Sequence, residues 1–131
     1  MRQRLGDELE MIRTRYPAAI HAPDGDWVLI PALVLPAGWN REATDVAFQV
    51  PDAYPGTPPY GIYVPSGLRF KQAVPDNYSE PAPTRPPFDG DWAVFSWAPE
   101  DGSWRATADP RGGSNLINWI AGFSDRFRGG K

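Results

Sequence analysis

Ser96, Glu100 and Asp101 lie close together in the sequence, and their side chains could carry out nucleophilic chemistry. A serine hydroxyl is a weak nucleophile unless an adjacent base accepts its proton. Either carboxylate could be that base. The alternative is that both carboxylates only solvate a turn around Gly102, and the sequence leaves both interpretations open.

Other reactive side chains are scarce. The chain has no cysteine, and His21 is its one histidine, which excludes disulfides, thiol nucleophiles and zinc sites built from Cys and His ligands. His21 falls in a short predicted loop between Pro17 and Pro23, so we interpret it as a surface residue. We therefore expect neither a metal site nor a cofactor.

The charge distribution bears on partners and on the cellular compartment. The formal net charge is -3 at pH 7, and the basic residues are scattered, which argues against binding to a nucleic-acid backbone. No apolar run approaches the roughly 20 residues that span a bilayer. Asp7, Glu8 and Glu10 interrupt the N-terminal segment, where a signal peptide needs apolar residues. We expect a cytoplasmic protein with neither nucleic-acid nor membrane partners.

The hydrophobic pattern predicts one α+β domain over residues 1–131, since a chain of this length can bury one core. An amphipathic helix is predicted over residues 2–16 from the helical spacing of Leu5, Leu9, Ile12 and Tyr16. Four short segments have strand character: 27–35, 45–50, 60–64 and 92–97. Their short connections favour an antiparallel meander.

Two further segments complete the predicted fold. Residues 71–90 contain five prolines and predict a long irregular flap. Ser114 is the predicted N-cap of a final helix. The apolar face of that helix is predicted to consist of Leu116, Ile117, Ile120, Phe123 and Phe127.

The segment from Val50 to Pro59, VPDAYPGTPP, contains regularly placed prolines around Tyr54. Each proline holds φ at about −65°, so the chain that leaves the strand 45–50 is expected to be rigid, with Tyr54 packed beneath it. A proline-rich loop could also contain this spacing by chance. The pattern resembles the hallmark of ubiquitin-conjugating enzymes, with every fixed position present. The order helix, meander, proline motif, flap and helix is also similar to theirs over nearly the whole chain.

The resemblance implies candidate catalytic residues. Conjugating enzymes carry their cysteine eight positions before a tryptophan, and Ser96 lies eight positions before Trp104. Asn77 is the nearest substitute for the family's oxyanion-supporting asparagine, although it can also be read as a turn residue with local side-chain hydrogen bonds. Asp101 could supply the base. The segment WAVFSWAPEDGSWR looks like divergent bacterial members of the superfamily, which often lack the cysteine.

The sequence departs from the family in two places. It has no recognisable His-Pro-Asn tripeptide, and it lacks the histidine that divergent bacterial members often carry soon after this serine. Three interpretations of Ser96 therefore stay open. It is a natural nucleophile that forms an oxyester, a serine introduced in place of a cysteine, or an inert position in a non-catalytic variant.

The implied function is that of a bacterial ubiquitin-conjugating-like protein, a transferase if active. It would receive or position a ubiquitin-like modifier delivered by an activating enzyme. The alternative is a non-catalytic variant that acts as a binding module. The family's N-terminal helix docks the activating enzyme, so we expect the exposed arginines of the first helix to contribute to docking. The alternative is that they form only a solvated basic face. These arginines are Arg2, Arg4, Arg13 and Arg15.

Overall fold

The computed structural model describes residues 3–54, 56–96, 104–105, 109 and 113–128. These residues form two helices and six strands, so the α+β prediction is confirmed. In chain order the elements are α1 (Gln3–Arg15), β1 (Ile20–Ala22), β2 (Trp27–Val34), β3 (Ala43–Gln49), β4 (Ile62–Pro65), β5 (Tyr78–Ser79), β6 (Trp92–Phe95) and α2 (Leu116–Arg128). Among the described residues, neither helix is long and apolar enough to cross a membrane.

The six strands form one antiparallel sheet in the order β1-β2-β3-β4-β6-β5. Strands β2, β3, β4 and β6 confirm the four predicted strands, with small shifts at their ends. The sheet is not a simple meander, because β6 inserts between β4 and β5. This insertion places Ser96, the residue after β6, beside Asn77, the residue before β5.

Strands β1 and β5 correct the sequence-based prediction, which assigned both segments to loops. β1 contains His21 and pairs with β2 across a turn in which Gly25 and Asp26 have φ angles of 77° and 53°. The Nε2 atom of His21 lies 3.2 Å from Oδ1 of Asp26. β5 lies inside the predicted flap. Strands of two or three residues are too short to show an alternating pattern, and they form because a longer neighbouring strand supplies their hydrogen-bond partners.

The main core lies between the two helices and one face of the sheet. Leu5, Leu9 and Ile12 of α1 are buried there, as predicted. Four of the five predicted core residues of α2 are also buried: Leu116, Ile120, Phe123 and Phe127. The fifth, Ile117, is only partly buried, and Trp119 occupies the core instead.

The opposite face of the sheet carries a smaller aromatic cluster. Trp27 and Trp92 are buried in it, and the Trp27 ring meets the Tyr63 ring edge-on at 5.0 Å between centroids. Residues of the predicted flap cover this cluster. Phe88 packs against it, its carbonyl oxygen accepts a hydrogen bond of 3.1 Å from the Trp92 indole, and the Ala82 amide donates to the Trp92 carbonyl oxygen. This part of the flap is therefore bound to the sheet.

The N-terminus of α2 is capped by Asn115, which corrects the assignment of Ser114. The Asn115 side chain accepts a hydrogen bond from the Asn118 amide, and the Asn118 side chain accepts one from the Asn115 amide. This reciprocal pair follows the geometry of a capping box. Ser114 instead accepts a hydrogen bond from the Arg105 amide through its hydroxyl.

A buried carboxylate joins α1, the proline link and α2. Glu8 of α1 has an exposed fraction of 0%. Its Oε1 accepts hydrogen bonds of 2.6 Å from the Tyr54 hydroxyl and 2.6 Å from the Leu116 amide, and its Oε2 accepts one of 2.7 Å from Nε of Arg4. Burial, and then the contact with Glu8, raises the pKa of Tyr54, so this hydroxyl keeps its proton. Tyr54 is 4% exposed and belongs to the main core, as predicted.

Replacement of Tyr54 by Phe tests the contribution of this contact. Tyr54→Phe removes a hydrogen bond to a buried carboxylate, so the free energy of unfolding should fall by about 1 to 3 kcal/mol. Urea denaturation followed by tryptophan fluorescence measures this change. Tyr60→Phe is the matched control, because Tyr60 is 63% exposed, and it should unfold like the wild type. Equal stability of the Tyr54→Phe and Tyr60→Phe proteins would show that the Glu8 contact does not stabilise the fold.

Candidate functional site

Ser96 lies immediately after β6, at the point where this strand leaves the core. All four residues of β6 are buried, whereas Ser96 is exposed. Its amide donates a hydrogen bond of 2.8 Å to the carbonyl oxygen of Asn77. The Ser96 backbone is therefore fixed by the sheet while the side chain is accessible to solvent.

Asn77 immediately precedes β5 and has a φ angle of 57°. Asparagine tolerates this left-handed backbone conformation better than most residues, which fits the turn interpretation. The structure thus brings together two of the three predicted catalytic residues through the pairing of β5 with β6. The Asn77 side chain is exposed, and it makes no hydrogen bond within the described part of the chain, unlike a turn residue with local side-chain bonds.

The predicted base is not placed by the structure. Asp101 and the neighbouring Glu100 lie outside the described residues. Within the described residues, the Ser96 hydroxyl has no hydrogen-bond partner, and no group of three His, Asp or Glu side chains could hold a metal ion.

Trp104 packs against the proline link. Its ring lies 5.9 Å from the Tyr54 ring, and the side chain contacts the main core. The adjacent Arg105 is held to the start of α2 by two hydrogen bonds with Ser114. Trp104 thus contacts the residue whose hydroxyl donates a hydrogen bond to Glu8.

A row of aromatic and cationic side chains supports the Ser96 and Asn77 backbone. The Tyr78 ring lies 5.1 Å from the Phe95 ring. Arg69 lies over Tyr78 at 5.7 Å, and Arg126 of α2 lies over Phe95 at 4.5 Å. Burial raises the pKa of Tyr78, with a further contribution from Glu80, and burial lowers the pKa of Arg126. Phe95 precedes Ser96 and Tyr78 follows Asn77. The contacts of this row therefore stabilise the backbone on both sides of the candidate site.

An open pocket of about 340 Å³ lies beside Tyr78. Arg69, Val74 and Glu80 form the rest of its wall, and Nη1 of Arg69 is 3.0 Å from Oε2 of Glu80. Arg69 and Arg126 were missed by sequence reasoning. No local pattern identifies them, because their partners are distant in sequence or lie in an irregular segment.

The arginines of α1 divide into two groups. Arg13 and Arg15 are exposed, as expected for docking residues. The structure corrects the expectation that Arg4 is exposed. Arg4 is paired with the buried Glu8, and its Nη2 also lies 3.4 Å from the Ser114 carbonyl oxygen. Arg2 lies outside the described residues.

Comparisons with protein-family models, with curated proteins and with solved structures found no match to this chain. The interpretation of the site therefore depends on its own geometry.

The accessibility of position 96 can be measured with thiol chemistry, because the chain has no cysteine. The thiol in Ser96→Cys should react with iodoacetamide within about tenfold of its rate in denaturant, since an exposed position needs no opening of the fold. Ala93→Cys is the control at a position with 0% exposure, and its reaction should be at least about 100-fold slower than in denaturant. Strong protection at both positions would contradict the placement of Ser96 at the surface.

Proposed function

We propose that this protein is a ubiquitin-conjugating-like protein that receives or positions a ubiquitin-like modifier delivered by an activating enzyme. The observation that carries the proposal is the pairing of exposed Ser96 with exposed Asn77 at the end of β6. In the sequence-based assignment Ser96 holds the place of the family's cysteine, and Asn77 is the nearest substitute for its oxyanion-supporting asparagine. The buried contact of Tyr54 in the proline link supports it further.

The proposed chemistry is acyl transfer to the Ser96 hydroxyl. Its oxygen attacks the carbonyl carbon of the modifier's C-terminal thioester, the carbon–sulfur bond breaks, and the thiolate of the activating enzyme leaves. The hydroxyl proton goes to a base, which we assign to Asp101. The exposed Asn77 amide is the candidate donor to the oxyanion that forms during attack. The resulting oxyester is less activated toward amines than a thioester.

A second candidate function is a binding module without covalent chemistry. The specific observation in its favour is the Ser96 hydroxyl, which makes no hydrogen bond within the part of the chain that the structure describes. Under this interpretation the sheet and the proline link bind a modifier or an active conjugating enzyme, and Ser96 is inert.

Adduct formation distinguishes the two functions. The protein is incubated with its activating enzyme, modifier and ATP, and the products are separated by denaturing electrophoresis. Under the catalytic proposal a base-labile adduct forms, Ser96→Ala abolishes it, and Ser96→Cys replaces it with a thiol-labile adduct. Modifier binding should be unchanged in Ser96→Ala, because only the acceptor oxygen is removed.

Ser103→Ala is the matched control for this experiment, because Ser103 is the nearest alternative acceptor in the sequence. It should form the adduct in wild-type yield. An adduct of equal yield in Ser96→Ala would refute the assignment of Ser96. Modifier binding with no adduct in any variant would support the binding-module function instead.

The exposed arginines of α1 are the proposed contact with the activating enzyme. Arg13→Glu and Arg15→Glu should each weaken that affinity by about threefold to tenfold and lower its dependence on salt, since long-range charge attraction is lost. Titration at two salt concentrations measures both effects. Arg85→Glu reverses one exposed charge in the segment before β6 and should leave the affinity unchanged. Equal effects of all three substitutions would indicate a response to net charge alone.

A further inference from the structure

Arg126 contacts both chain segments of the candidate site. Its Nη2 donates a hydrogen bond of 2.9 Å to the carbonyl oxygen of Asp76, the residue before Asn77. Its guanidinium carbon lies 4.5 Å from the centre of the Phe95 ring, and Phe95 is the residue before Ser96. One side chain of α2 therefore touches the segment that ends at Ser96 and the turn that contains Asn77.

The turn that contains Asn77 lies at the edge of the sheet. Asn77 has a left-handed backbone, and β5 after it has only two residues. The Ser96 amide donates a hydrogen bond to the Asn77 carbonyl oxygen, so a displacement of the turn would break this bond and move Asn77 relative to Ser96. Arg126 is partly buried, and its ring and carbonyl contacts replace part of its lost hydration.

We infer that Arg126 is a positioning residue that holds the Asn77 turn against Ser96, an inference that rests on the proposed function. It acts through Asn77 and Ser96 and does not touch the reacting atoms. An arginine suits this role because its planar guanidinium stacks on an aromatic ring while an N–H group at its edge donates a hydrogen bond. A lysine at this position keeps the charge but cannot make both contacts in the same way.

Amide hydrogen exchange tests the contact independently of any activity. In Arg126→Ala the Ser96 amide should exchange at least about tenfold faster than in the wild type, because the turn can then open locally. Arg126→Lys should show most of this increase. The Phe48 amide, in the centre of the sheet, is the internal reference and should keep its rate. Arg128→Ala removes an exposed arginine of the same helical turn and should leave the Ser96 amide unchanged.

Two outcomes of the exchange experiment would overturn the inference. The first is an unchanged Ser96 amide in Arg126→Ala, which would show that the turn holds without this side chain. The second is an equal acceleration at Ser96 and Phe48, which would show that Arg126 only stabilises the fold as a whole.

The adduct assay then tests the functional consequence. At saturating modifier, Arg126→Ala should form the Ser96 adduct at least about tenfold more slowly than the wild type, with unchanged modifier affinity, since orientation and not binding is lost. A wild-type rate together with a faster-exchanging Ser96 amide would overturn the positioning role. An absence of adduct in the wild type would refute the proposed function, whereas the exchange data would still decide whether Arg126 holds the turn.

Discussion

The carboxylate of Glu8 is the constraint on which the arrangement of this fold depends. It is fully buried, and a buried charge costs several kcal/mol unless partners compensate for the lost water. Its partners come from three separate parts of the chain: Arg4 in α1, Tyr54 in the proline link and the amide of Leu116 at the start of α2. The charge is compensated only when these parts are assembled together, so the network couples their positions.

Helix α2 connects this network to the candidate site at the other end of the fold. Its first residue donates to Glu8, and Arg126 in its last turn contacts the segments of Ser96 and Asn77. A helix of 13 residues is about 20 Å long. Its C-terminal end is fixed a second time, because the Trp39 indole donates a hydrogen bond of 2.9 Å to the Phe127 carbonyl oxygen. The site is therefore supported by a rigid element that is anchored at both ends.

The predicted flap, residues 71–90, has a structural role at the edge of the sheet. β5 is an edge strand of two residues, and Pro81 follows it closely, which limits further pairing along that edge. The chain then returns across the second face, where Phe88 packs beside Trp92. The same segment thus shields an aromatic surface and carries Asn77 to the end of β6. Both proposed functions use this arrangement, and they differ only in whether a base reaches Ser96.

The sequence by itself determined the two helices, the four longer strands and the absence of thiol chemistry, because these follow from local spacing and composition. It also predicted that Ser96 and Asn77 belong to one site, and the pairing of β5 with β6 brings them together. Local spacing contained one signal for Glu8, a charge on the apolar stripe beside Leu5 and Ile12. Its role and the contacts of Arg126 were decided only by the tertiary structure. Each depends on a partner from a distant segment of the chain. A buried polar group without a partner is unfavourable, and this cost favours the arrangement in which the partner is present.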